Sequence, residues 1–156
     1  MRSFVPLTGV LLLIGALGGC HETSNIACPS WAISDDPQDH FEAATLVVVS
    51  SIVERDGETA IYGVEAHTYR VSIEKVRKGD LADQAIRVTA MPDPCTGEAV
   101  YPDGDPFETM DRVIIFASEQ EGEWFTLTPF GGVISFPEGT ESPLAFQPIP
   151  TQARSR

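Results

Sequence analysis

Apolar and polar positions alternate most cleanly along residues 63–80, GVEAHTYRVSIEKVRKGD. His67, Tyr69, Val71 and Ile73 fall on one face, and Thr68, Arg70, Ser72 and Glu74 on the other. Period-two alternation predicts a half-buried antiparallel strand. The next apolar residue is Val76, three positions after Ile73, so the buried face changes sides. Such a slip predicts a β-bulge that bends the strand, and Lys78-Gly79-Asp80 ends it with turn chemistry.

The other elements group around this strand. Asp36 before Pro37, with Asp39 in the first turn, predicts a short helix over 37–43. The β-branched run TLVVVSSIV at 45–53 predicts a strand buried on both faces along part of its length. Arg55-Asp56-Gly57-Glu58 reads as a turn or loop, with the connection running to Gly63. Residues 81–85 form a linker. Residues 85–90 (AIRVTA) predict a strand with Ile86 and Val88 inward. Residues 91–107, with four prolines and Cys95, predict a long loop. Residues 112–117 (RVIIFA) form a central-type strand, Glu121-Gly122 a hairpin turn, and 124–128 its return. A kink at Gly131-Gly132 precedes a last strand at 133–136. Beyond Pro137 a proline-rich tail with little regular structure is expected. The pattern is mainly β: a small closed or partly open OB-like barrel of five or six strands with one short N-terminal helix, spanning 28–136.

Residues 1–19 stand outside this scheme. Arg2 and the α-amine precede an uncharged apolar run from Val5 to Leu17, too short to span a bilayer comfortably and suited to a secretory signal. It ends Leu17-Gly18-Gly19-Cys20, which resembles the lipobox of bacterial lipoproteins. The resemblance implies cleavage before Cys20 and acylation of Cys20, with two or three chains giving stable anchoring. Residues 20–27 are then a polar tether, and the protein is expected in the bacterial envelope on the extracytoplasmic side. His21 is not the Asp of an inner-membrane retention signal, which favours the outer membrane where the host has one. A net charge of −13 repels phosphate, so nucleic acid is not an expected partner.

With Cys20 acylated, Cys28 and Cys95 remain of the three cysteines. In an oxidising compartment an even pair predicts a disulfide; two free thiols are the alternative. There is no CxxC motif.

Several segments together resemble the N-terminal domain of tissue inhibitors of metalloproteinases, the netrin-like modules. They are Cys28, the helix Asp36-Pro37-Gln38-Asp39-His40-Phe41, the strand Ala43-Ala44-Thr45-Leu46-Val47-Val48, the Tyr69–Gly79 strand ending Lys78-Gly79, Cys95 with Gly97, and the aliphatic strand 113–116. The resemblance covers roughly residues 28–132 and implies an OB-type barrel with Cys28 tied to Cys95. The family's other disulfides have no counterpart, and its Cys-Gly dipeptide appears as Cys95-Thr96-Gly97. In that family a free N-terminal cysteine chelates the protease zinc through its α-amine and carbonyl. Here Cys28 follows Ala27, so its nitrogen is an amide, and that mechanism does not carry over as it stands.

No HExxH, GxSxG or Walker motif is present, and no enzyme activity or cofactor is expected. His21, His40 and His67 are far apart in the chain. His40 is expected to be solvated on its helix, and His67 to be a core-edge histidine. Asp93, Asp103 and Asp105, with Glu108, gather carboxylates near turns as hard cations prefer, but in no EF-hand spacing. Trp31, Tyr101 and Phe107 lie in loops, where they form a binding surface or plug the barrel ends. The sequence is thus read as a lipid-anchored, non-catalytic module with a protein partner. Protease inhibition and calcium binding are the alternatives.

Overall fold

The computed structural model describes residues 28–31, 34–95, 100–101 and 104–144. The expectations for the leader, Cys20 and the tether, for Asp103 and Gly97, and for the tail past Leu144 fall outside these residues. The elements in order are α1 (Pro37–Ala43), β1 (Leu46–Ile61), β2 (Val64–Lys78), β3 (Ala85–Thr89), α2 (Pro106–Thr109), β4 (Arg112–Gln120), β5 (Glu123–Thr126) and β6 (Val133–Ser135). The sheet order is β1-β2-β3-β5-β4-β6, and β1 also pairs with β4. Five strands therefore close a ring. Within it only β3 and β5 run parallel, and α2 lies in the β3–β4 connection, giving an OB-like arrangement. One edge of β4 takes β1, while the other takes β6 at Val113–Ile115 and β5 at Ala117–Gln120.

The bend anticipated after Ile73 is present, and it is doubled. Val49 faces Lys75 while Ser50 faces Ile73, which leaves Glu74 as an extra residue. Val47 faces Lys78 while Val48 faces Val76, which leaves Arg77 as another. β1 bulges in turn at Val53 and Asp56. Each bulge adds twist, so two long strands curl enough to close a ring of only five. β2 ends at Gly79, where φ is +85° and a Cβ would stand 2.6 Å from the Thr45 carbonyl oxygen.

Two apolar layers result. Leu46, Val48, Tyr69, Val71, Ile86, Val88, Val113, Ile115 and Phe107 fill the ring. Val47, Val49, Ile114 and Phe116 point outward from β1 and β4, where Phe41, Ala44, Ile134, Phe136 and Leu144 cover them. This is why β1 and β4 read as continuous apolar runs: both faces are buried. α1 starts as expected, with the Asp36 carboxylate accepting from the Gln38 N–H. Cys28 and Cys95 stand at disulfide distance, with Cα atoms 5.5 Å apart. Among the described residues no helix is long and apolar enough to cross a membrane.

Two expectations are corrected. Residues 55–58 are not a loop; β1 continues through them to Ile61, and the reversal is the two-residue turn Tyr62-Gly63, with φ of 52° and 82°. Asp56-Gly57 has turn chemistry, but here it serves a bulge, which needs the same residue types. A second helix, α2, stands inside the expected long loop. Asp105-Pro106 starts it as Asp36-Pro37 starts α1, with Asp105 accepting from the Phe107 N–H. Residues 137–144 carry no helix or strand, as expected; of them Leu144 is buried, in the outer apolar layer with Val47 and Phe116.

Candidate functional site

Alternation along β2 puts His67 and Tyr69 on one face, two residues apart. The Asp105 cap of α2 is brought over that face, and one helical turn carries Glu108 to the same side. Register places Arg55 of β1 opposite Tyr69. The result is a compact polar cluster at one end of the ring. The His67 Nδ1–H donates to Asp105 Oδ2 at 2.6 Å, and the Tyr69 hydroxyl donates to the same oxygen at 2.7 Å. Tyr69 also reaches Glu108 Oε1 at 3.4 Å. Asp105 Oδ1 is taken by the Phe107 N–H at 3.0 Å, so the carboxylate is held at both ends. Arg55 lies 3.7 Å from Glu108 but only 2.6 Å from Glu58.

Burial differs sharply across the cluster. The Asp105 side chain is 3% exposed and that of His67 20%, whereas Glu108 is 54% exposed. The cluster is anchored inside and open on the Glu108 side. Burial pushes the Tyr69 phenol pKa well up, and the hydrogen bond to Asp105 and the charges of Asp105 and Glu108 add to that shift. The Tyr101 phenol is pushed up to about 12, chiefly by burial, against the lowering effect of the His67 N–H that donates to it.

The sequence-predicted site residues divide as follows. Asp105 enters this cluster. Asp93 does not: it is buried, and its Oδ1 accepts from the Cys95 N–H at 3.0 Å, closing a local turn. Phe107 is no surface residue; it is 3% exposed and stacks on Tyr69 with ring centroids 4.8 Å apart. Tyr101 donates to the Ala90 carbonyl at 3.2 Å and packs on His67, inside the same end of the ring. Trp31 lies edge-on to Tyr62 at the hairpin tip, 6.0 Å between centroids. Tyr101 and Phe107 thus plug the ring. His40 is buried rather than solvated, because α1 lays it on Phe116; its Nε2–H donates to the Ser34 carbonyl at 2.9 Å.

The partnership of His67 with Asp105 was invisible along the chain, since 38 residues separate them. One signal was available: Asp105-Pro106-Phe107-Glu108 has the helix-start chemistry already recognised at Asp36-Pro37-Gln38-Asp39.

A second feature is a cleft of about 580 Å³ across β2, β3 and β5. It runs between the β1–β2 hairpin, at Glu58 and Thr59, and the β4–β5 turn, at Gly122 and Glu123. Asp83, Glu123 and Trp124 line it, with Thr68 and Thr89 at its floor bonded to each other at 3.0 Å. Arg87, also on its wall, is engaged by Asp56 at 2.8 Å. The cleft therefore presents negative charge and an aromatic ring. The chain matches no family model, and no curated protein matches it.

Proposed function

We propose that this chain is a non-catalytic binding module, held at the outside of a bacterial membrane by acyl chains on Cys20, that takes a basic segment of a protein partner in the cleft across β2, β3 and β5. The observation that carries the reading is the position of the cleft. OB barrels take extended ligands on the strand 2–3 face, between the loops that join strands 1–2 and 4–5, and the cleft occupies that place. Its charge selects among ligands. Asp83 and Glu123 disfavour a phosphate backbone and favour Lys or Arg, and Trp124 offers a face for the cation. The leader, the lipobox-like tetrad and the pairing of Cys28 with Cys95 support an exported, anchored protein. The likeness to netrin-like modules agrees with this reading. Their zinc-chelating terminus is an internal amide here, so binding rather than protease inhibition is the activity expected.

The test is affinity capture from detergent-solubilised envelope, comparing the acylated wild-type chain with a Glu123→Lys, Trp124→Ala variant. A basic partner retained by the wild type, released by salt and lost with the double variant supports the proposal. An identical set of proteins on both, or none on either, refutes it. Cys20→Ser should leave an uncleaved or mislocalised precursor; an unacylated mature protein starting elsewhere removes the anchor.

A further inference from the structure

The polar cluster at the other side of β2 lies apart from the cleft and has no role in the binding proposed there. Among the described residues, His67, Asp105 and Glu108 each bring one ligating atom within 4.8 Å of the others. We propose that these three side chains form a binding site for a divalent transition metal of the zinc type.

The donor set decides the class of ion. One imidazole nitrogen and two carboxylate oxygens suit zinc and its neighbours, whereas calcium and magnesium prefer oxygen alone. Three protein ligands with one side facing water is the arrangement of an open tetrahedral site. Neutral His67 with ionised Asp105 and Glu108 carries two negative charges, which a divalent ion balances. Without the ion, Asp105 is met by the His67 and Phe107 N–H groups and the Tyr69 phenol, and Glu108 by Arg55, whose shorter contact is to Glu58.

The geometry is prepared for the ion on the buried side. Asp105 is fixed through Oδ1 by its own helix start, which leaves Oδ2 aimed at His67. The His67 backbone is held by the Tyr101 hydroxyl at 2.9 Å, and Tyr69 is stacked on Phe107 with its hydroxyl on Oδ2. Such outer partners orient ligands in metal sites. The proton between His67 Nδ1 and Asp105 Oδ2 is the group the ion replaces. Their separation of 2.6 Å opens to about 3.3 Å around a metal with bonds near 2.0–2.1 Å, within reach of a small ring rotation. Glu108, more than half exposed, closes on the ion from outside, and Arg55 stays with Glu58. The displaced proton moves to Nε2, so the imidazole stays neutral as a ligand; protonation of the ligands competes with the ion, and affinity falls as pH drops. The ion would tie β2 to α2 and leave a coordination position for water or a ligand oxygen.

The experiment uses the full chain with its cysteines paired, stripped by chelator and titrated with Zn²⁺ by calorimetry and with Co²⁺ by absorption. One ion per chain is expected, with tetrahedral Co²⁺ bands and no thiolate charge-transfer band. Glu108→Gln and His67→Gln should each weaken binding at least about tenfold. Glu119→Gln removes the same charge from an exposed carboxylate on β4, outside the set, and should leave affinity unchanged. Circular dichroism checks that each variant is folded; Glu108→Gln, at an exposed position, keeps the test decisive if His67→Gln is not. The proposal is overturned by absence of binding to the wild type, by a thiolate band that puts the ion on Cys20, by binding that survives Glu108→Gln, or by an equal loss in Glu119→Gln.

Discussion

Tyr69→Phe tests whether the cluster is held together through Asp105 or merely decorates the ring. Tyr69 is 2% exposed, and its ring stacks on Phe107 with planes 26° apart, so the substitution leaves the packing in place and removes one hydroxyl. That hydroxyl donates to an ionised carboxylate at 2.7 Å, a bond class worth about 1.5–3 kcal/mol. Its second contact, 3.4 Å to Glu108, is at the limit of a hydrogen bond and adds little. Asp105 is not orphaned, since His67 keeps Oδ2 and the Phe107 N–H keeps Oδ1. The cost therefore belongs at the lower end, about 1.5 kcal/mol, a little over tenfold in the unfolding constant. Urea unfolding in chelator, followed by tryptophan fluorescence, should show a lower midpoint with an unchanged slope. Asp105→Asn retains a capping oxygen and completes a double-mutant cycle with a coupling of at least about 1 kcal/mol. A change below about 0.5 kcal/mol in Tyr69→Phe, or no coupling, would show that the hydroxyl does not organise the site.

Two further outcomes are expected from the frame. Gly79→Ala and Gly122→Ala share a left-handed backbone, with φ of +85° and +86°, but a Cβ at 79 meets the Thr45 carbonyl while one at 122 meets nothing within 4 Å. Thermal melts should give about 1–2 kcal/mol for Gly122→Ala and a further ~1–3 for Gly79→Ala; equal losses would refute the steric account. The Glu74 carboxyl is held below its ordinary value by the Ser51 hydroxyl at 2.5 Å and then by Arg112 at 2.7 Å. The unfolded chain binds this proton first as pH falls. The stabilisation is thus complete above the ordinary glutamate pKa and lost below it, and Glu74→Gln should flatten the acid limb of stability against pH. An acid limb as steep as the wild type's would exclude Glu74 as a contributor.

Much of the fold is local chemistry that the chain states outright. Alternation at His67–Ile73 and the slip to Val76 gave β2 with its bend, because side-chain direction in a strand depends only on parity. The runs at 45–53 and 112–117 gave strands buried twice over, and Asp36-Pro37 gave α1. Where two structures need the same residues, local reading fails: Asp56-Gly57 is suited to a turn and to a bulge, and only the pairing of Glu54–Ile61 with β2 decides for the bulge. The burial of His40 and Leu144 likewise waits on which faces of β1 and β4 stay uncovered by the ring. The candidate site is further still from the sequence. His67 and Tyr69 share a face by parity, and Asp105 and Glu108 share a helical turn, but ring closure and the β3–β4 connection set the two pairs against each other. A contact across 38 residues is a property of that closure, because no local spacing rule links a strand to a helix in a later loop.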